Sequence, residues 1–451
     1  MPAFWQPQRR RPNIVFVLLD DLRHDSLGCT GHPFARTPQI DRIAREGARF
    51  RNFFTVVPLC SPSRASFLTG LYPHTHRIIN NDKHGLAEIS HTLVTWPRLL
   101  RESGYETAFI GKWHMGFDDT RRPGFDHWIS FRAQGLYIDP VVNIDDRREQ
   151  LRGYMTDFLN ERAARFIQRP RRTPFAMVVA HKAVHYPYLP APRHEALYAD
   201  VRYTPPAPQP GDLEGKPALT RKVEERIDVL KLEDSTPEPG EPRRGRPRDP
   251  DSVVRDQLRC LASVDDGIGQ IFEALRKTGE LDRTVFIFTG DNGYLMGEHG
   301  QFDQKRWAYE DSLRIPFLVR YPELVKPGSQ PSAMGLNVDL APTLLELGGV
   351  KWSERMHGSS LVPVLRDPGT KGRTAFTAEY YPEKLSNRVP EWKAIRTERW
   401  KYIRYEGSGL DELYDLDTDP QEIRNRINDP AESATLAGLR SELDRLLAAS
   451  R

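Results

Sequence analysis

"NIVFVLLDD", residues 13–21, sets the fold class. From Asn13 to Leu19 the run is apolar, rich in Val and Ile, and shows no polar alternation. A run of that kind reads as a strand buried on both faces, as in a parallel sheet. It stops on two carboxylates, Asp20 and Asp21. The same pattern recurs three times. Thr107 to Ile110 leads into "GKWH" (111–114), Phe175 to Ala180 into "HKAVHYP" (181–187), and Val285 to Thr289 into "GDNG" (290–293). Helical patterns lie between these runs. Ile40, Ile43 and Ala44 share one face, and "VVRDQLRCLASVDDGIGQIFEALRKTG" (253–279) reads as one long helix. Alternating strands and helices predict an α/β fold with a large, mostly parallel sheet sandwiched by helices. Sheets of that kind bind ligands beyond the carboxyl ends of their strands. The four polar clusters are therefore expected to meet at one site.

Outward from these strands, "RFRNFFTV" (49–56) reads as a further strand and "SRASFLTGLYP" (63–73) as a short helix. Between residues 203 and 250 the pattern gives way to a stretch dense in Pro, Gly and charge. Within it, "TRKVEERIDVLKLE" (220–233) has helical character. After Gly349 the character changes again. "EWKAIRTERWKYIRYEG" (391–407) followed by "DELYDLDTDP" (411–420) reads as two antiparallel strands, and a leucine-spaced helix runs from about Ala431 to Ala449. The expected division is a catalytic domain over residues 1–348 and a smaller α+β subdomain over residues 349–451.

Composition excludes several classes. The 451 residues are 38% hydrophobic and 28% charged, as expected of a globular chain. Its 65 basic and 62 acidic residues give a net charge of only +3, too even for a protein that neutralises many phosphates, so no nucleic-acid partner is expected. The basic runs at 9–11 and 169–174 read as solvated surface. Three cysteines, Cys29, Cys60 and Cys260, show no CxxC spacing, which argues against a disulfide framework or thiolate zinc site. No run approaches the ~18 apolar residues of a membrane span, so no membrane partner is expected. The N-terminus lacks the apolar core of a secretory signal. The chain as written is expected to be cytoplasmic, or periplasmic or secreted if a leader has been removed.

The chemistry lies in the polar clusters. Asp20 and Asp21 repel each other unless a cation lies between them. Asp291 and Asn292 repeat the arrangement at a second strand end. Three carboxylates and an amide oxygen suit calcium or magnesium better than zinc. His299 reads either as a further ligand or as a structural residue. "CSPSR" (60–64) has two readings. Cys60 is a buried structural cysteine, or it is a reactive group at a helix N-terminus with Arg64 one turn on. Lys112, His114, His181, His185 and Lys305 form a basic set that would crowd unless something anionic, such as a sulfuryl or phosphoryl group, sits among them.

Together these segments resemble the type I sulfatases of the alkaline-phosphatase-like superfamily. The resemblance runs through "NIVFVLLDDLRHDSLGCTGHP", "CSPSRASFLTGLYPHTH", "GKWHMG", "HKAVHYP", "GDNGYLMGEHGQFDQKRWAYEDSLRIPFLVRYP" and "NVDLAPTLLELGG", and continues in the tail from Trp392. It implies an alkaline-phosphatase-like fold and a sulfuric ester hydrolase. It also implies that Cys60, marked by Pro62 and Arg64, is oxidised to formylglycine by a separate formylglycine-generating enzyme. The nucleophile is then a hydroxyl of a hydrated aldehyde, and the second hydroxyl drives release of sulfate. Asp20, Asp21, Asp291 and Asn292, with modified Cys60, are implied as calcium ligands. Arg64 would stabilise the hydrate, Lys112 and Lys305 would hold sulfate oxygens, His185 would protonate the leaving group, and His114 would assist the second step. His181 matches no catalytic position. The segments around Lys305 and His185 lean toward members acting on sulfated sugars such as N-acetylglucosamine 6-sulfate. The alternative is a phosphodiester or phosphonate monoester hydrolase with the same nucleophile.

Overall fold

The computed structural model describes residues 11–82, 85–206, 208–221, 249–353, 355–383 and 388–451. Its centre is a nine-stranded sheet. In chain order the strands are β1 (Asn13–Leu19), β2 (Ala48–Arg49), β3 (Glu106–Gly111), β4 (His127–Ser130), β5 (Val141–Ile144), β6 (Arg147–Gln150), β7 (Phe175–Ala180), β8 (Thr284–Gly290) and β9 (Phe317–Arg320). They lie side by side as β2-β9-β8-β1-β7-β3-β4-β5-β6. The four apolar runs read from the sequence are β1, β3, β7 and β8, and with β4 they form a parallel core. Antiparallel strands close both edges.

Period-two alternation divides β1 between two cores. Val15, Val17 and Leu19 face one layer of helices, α1 (Pro38–Glu46), α3 (Met155–Ile167) and α4 (Pro250–Lys277). Ile14, Phe16 and Leu18 face the other, which includes α2 (Cys60–Thr69). β1 is thus apolar on both faces, which explains its unbroken hydrophobic run.

Register then places the polar ends. Leu19 pairs with Gly290, Leu18 with Ala180, and Gly111 with Ala180. The residues that follow, Asp20, Asp291, His181 and Lys112, therefore emerge together. Backbone bonds extend the ladder past the strands, from Asp291 N to Leu19 O at 2.8 Å and from Lys112 N to Ala180 O at 2.7 Å.

A second, antiparallel sheet comprises β10 (Ala375–Tyr380), β11 (Trp392–Thr397), β12 (Trp400–Tyr405) and β13 (Glu412–Asp415). Its far face is covered by α5 (Ser433–Ala449), with Leu439 and Leu443 against Ile395, Tyr402 and Leu413.

Two expectations change. The stretch 391–420 supplies three strands rather than two, because Thr397 to Trp400 is a tight turn closed by Trp400 N to Thr397 Oγ1 at 2.8 Å. The stretch 49–56 is not one strand. Arg49 ends β2, and Phe53–Phe54 pairs instead with Gly335–Leu336 in a separate ribbon. The helical reading of 220–233 falls almost wholly outside the described residues.

Candidate active site

Every residue singled out for the site is buried, and the fold brings all but His181 and His299 together. Asp20, Asp21, Cys60 and Asp291 each present a ligand atom within 4.8 Å of one another. Asp20 and Asp21 continue β1, Asp291 and Asn292 continue β8, and Cys60 opens α2. The N-terminus of α2 is held there by its own side chains. Ser63 Oγ donates to Asp291 O at 2.5 Å, and Ser61 Oγ to His114 O at 2.5 Å.

Arg64, one turn along α2, spans the cluster. Its Nε donates to Asp291 Oδ2 at 2.8 Å and its Nη1 to Lys112 O at 2.6 Å. Lys112 pairs with Asp20, and Lys305 pairs with Asp21 while its Nζ lies 2.8 Å from Cys60 Sγ. His185 is anchored through Nδ1 to its neighbour's carbonyl, Tyr186 O, at 2.8 Å. Its Nε2 lies 3.8 Å from Asp21 Oδ2.

The electrostatics of the cluster are divided. Burial raises Asp20, but Lys112, His185 and Arg64 outweigh it and hold its carboxyl well below the usual range. Burial and the neighbouring Asp20 charge push Asp21 up, and the same two causes bring Asp291 to about 6. Three carboxylates this close resist common ionisation unless more positive charge joins them. Asn292 supplies the matching observation. Its amide nitrogen is spent on Asp21 Oδ1 at 2.7 Å and Gly293 O at 2.8 Å, while its buried Oδ1 has no hydrogen-bond partner. Carboxylate oxygens plus an unpartnered amide oxygen fit a hard divalent cation. Asp20, Asp21, Asp291 and Asn292 are the residues able to hold it.

Cys60 answers the question left open by the sequence. Burial, then the Asp20 charge, push its thiol up to about 12. Both causes favour the protonated thiol over the thiolate in the unmodified residue. Burial alone does not explain it either, since Lys305 and Asp20 converge on its sulfur. Burial, followed by Lys112, takes His114 well below its ordinary value, and burial does the same to His185. In both, burial favours the neutral imidazole.

Two histidines stand apart. His181 is buried with neither ring nitrogen partnered, and burial lowers it to about 3. His299 is not part of the cluster. Its Nδ1 meets Asp212 Oδ1 at 2.9 Å and its ring packs on Tyr309, a structural role. Sequence reasoning missed three participants. Gln134 contacts both Lys112 and His114. Asn81 Oδ1 accepts from Ser61 N at 3.0 Å. Asn337 braces Ser63 and Thr55 through Nδ2. Asn337 opens the segment "NVDLAPTLLELGG" without being singled out there, and Gln134 and Asn81 lie in no run with periodicity or motif spacing. A cavity of about 830 Å³, lined by Tyr203, Gln209, Asp212, Gln257 and Glu298 among others, contains none of the site residues.

A family model described as sulfatase matches residues 12–350, and one described as N-sulphoglucosamine sulphohydrolase, C-terminal, matches residues 297–449. The chain belongs to the sulfatase family. This sulfatase is 34% identical over 471 residues to an N-acetylglucosamine-6-O-sulfatase of Bacteroides thetaiotaomicron, covering 93% of the chain and 83% of the relative. It is similar, at TM-score 0.86 and 33% identity over 98% of both chains, to a solved structure in complex with its substrate D-glucosamine-2-N,6-O-disulfate. A phosphonate monoester hydrolase of Agrobacterium radiobacter aligns at TM-score 0.77 and 22% identity, over 98% of this chain and 96% of that one, a likeness of fold alone. The sulfatase is an enzyme of the hydrolase class with the alkaline-phosphatase-like fold. Among the described residues no helix is long and apolar enough to cross a membrane.

Proposed function

We propose that this sulfatase hydrolyses the 6-sulfate of a sulfated amino sugar at the cluster around Cys60. The observation that carries the reading is the convergence of Lys112, Lys305 and Arg64 on three buried carboxylates and Cys60 Sγ. The similarity to an N-acetylglucosamine-6-O-sulfatase, and to a structure holding a disulfated glucosamine, supports the sugar.

Conversion of Cys60 by a formylglycine-generating enzyme would supply a hydrated aldehyde as the nucleophile. Calcium held by Asp20, Asp21, Asp291 and Asn292 would polarise a sulfate oxygen. The remaining tasks fall to the chain's own residues. Lys112 and Lys305 are placed to hold sulfate oxygens by exchanging their carboxylate contacts for the anion. Arg64, fixed by Asp291 and Lys112 O, orients the group at position 60. With Nδ1–H tied to Tyr186 O, His185 takes up a second proton at Nε2 as the sulfate anion enters the site, and delivers that proton to the leaving alcohol. His114, neutral, accepts a proton during release of sulfate. Burial of the whole set excludes water and strengthens each of these contacts.

The test is a panel of N-acetylglucosamine 6-sulfate, other sulfated mono- and disaccharides, 4-nitrophenyl sulfate, a phosphodiester and a phosphonate monoester, each with and without a calcium chelator. The reading predicts fastest turnover of the amino-sugar 6-sulfate and loss of rate on chelation. Faster phosphonate or phosphodiester hydrolysis would instead establish the alternative activity.

A further inference from the structure

Gln134 sits in the loop after β4, flanked by Ala133 and Gly135 with left-handed φ of 47° and 66°. Non-glycine residues rarely adopt that conformation, and Ala133 does so here. The loop turns the Gln134 side chain into the site. Its Oε1 accepts from Lys112 Nζ, and its Nε2 lies 3.0 Å from His114 Nε2.

The chemistry of the two partners fixes the amide's orientation. An ammonium has hydrogens but no lone pair, so the atom facing Lys112 must be the amide oxygen. The amide nitrogen then faces His114, and it can only donate. His114 Nε2 must accordingly carry a lone pair, which places the ring proton on Nδ1. Imidazolium would set two N–H groups against each other across that 3.0 Å contact. The buried His114 Nδ1 has no hydrogen-bond partner of its own, so nothing else among the described residues selects the tautomer.

We infer that Gln134 is a positioning residue of the sulfatase reaction, whose side-chain amide bridges Lys112 to His114 and fixes His114 as the neutral Nδ1–H tautomer with its lone pair on Nε2. The inference rests on the proposed roles of Lys112 and His114. It adds that the sulfate-holding lysine and the proton acceptor are coupled through one amide. Gln134 itself needs no contact with the reacting atoms.

The test compares wild type, Gln134→Met and Gln134→Glu on 4-nitrophenyl sulfate. Methionine keeps the length but makes neither bond. Glutamate still accepts from Lys112 but presents an acceptor to His114 and so favours imidazolium. In Gln134→Met the expected result is a fall in kcat of about tenfold or more, with KM within about threefold of wild type. In Gln134→Glu the acid limb of the kcat/KM profile should move upward by about one pH unit. Unchanged kcat and an unchanged acid limb in both variants would overturn the inference. So would a change confined to KM, which would make Gln134 a substrate contact. Failure of wild type itself to release sulfate would instead refute the proposed function and leave the Gln134 geometry in place.

Discussion

At the scale of single residues, Cys60 and Arg64 make opposite demands on stability. Cys60 lies at the first turn of α2 and packs no large side chain into a core. Cys60→Ala is expected to abolish turnover while the melting temperature stays within a few degrees of wild type; retained activity would refute its role. Arg64 is buried and satisfies Asp291 and Lys112 O. Removing one partner of a buried ion pair leaves a charge uncompensated, at a cost of about 3–5 kcal/mol. Arg64→Ala is therefore expected to lower both activity and stability, read by urea denaturation as a shifted midpoint. A variant as stable as wild type would mean that the guanidinium does not compensate Asp291. The site was largely legible at this scale. Asp20, Asp21, Lys112, His185, Asp291 and Asn292 announce themselves because each interrupts or follows an unbroken apolar strand. Gln134, Asn81 and Asn337 do not, because each acts through hydrogen bonds to residues distant in sequence, which leave no trace in residue spacing.

Elements show where register does the positioning. Gly111 closes β3 at φ +125°, and a Cβ there would lie 1.9 Å from Ala180 O. Gly111→Ala would have to spread β3 from β7 at the point where Lys112 leaves the sheet. The expected outcome is loss of soluble protein, or of activity in what remains soluble; a soluble variant of wild-type activity would show that the strand ends tolerate displacement. In the second sheet, Glu412 of β13 accepts from Tyr309 OH at 3.0 Å and Tyr414 OH at 2.8 Å. Burial pushes its carboxyl up to about 7. A carboxyl raised by folding is stabilising below its unfolded value and loses that contribution as pH rises through its folded value. Glu412→Gln should match wild type near about pH 5 and be the more stable protein near about pH 8.5, measured by thermal melts. Parallel melting curves at both pH values would contradict it. Edge strands were the least legible elements. β6 is exposed along its length and reads "RREQ", so no buried face imposes a pattern on it.

The whole molecule is held together by contacts between the second sheet and segments that flank the first. Phe376 packs against Phe54 with centroids 4.9 Å apart, Trp392 Nε1 donates to Arg306 O at 2.9 Å, and Lys401 pairs with Glu310 at 2.9 Å. Arg306 adjoins Lys305, so the second sheet braces a residue of the site. We propose the division at 348/349 as one of sequence and topology rather than of independent folding. A chain ending at residue 348 would expose Phe54, Val56, Leu59 and Trp307, and is expected to be insoluble. A soluble, cooperatively melting fragment would contradict that. Alternation of apolar strands and helices made the centre of the main sheet readable, because β1, β7 and β8 are buried on both faces. The apposition of the second sheet was not readable, since it depends on surfaces distant in sequence that meet only after both have formed.

The central claim is that the cluster works on sulfate through a converted Cys60. The most direct measurement is the mass of the tryptic peptide spanning residues 52–64, taken from enzyme that is turning over substrate. The account predicts a species about 18 Da lighter than the cysteine form, the difference between a thiol and an aldehyde. Fully active enzyme whose residue 60 is wholly unmodified cysteine would contradict it.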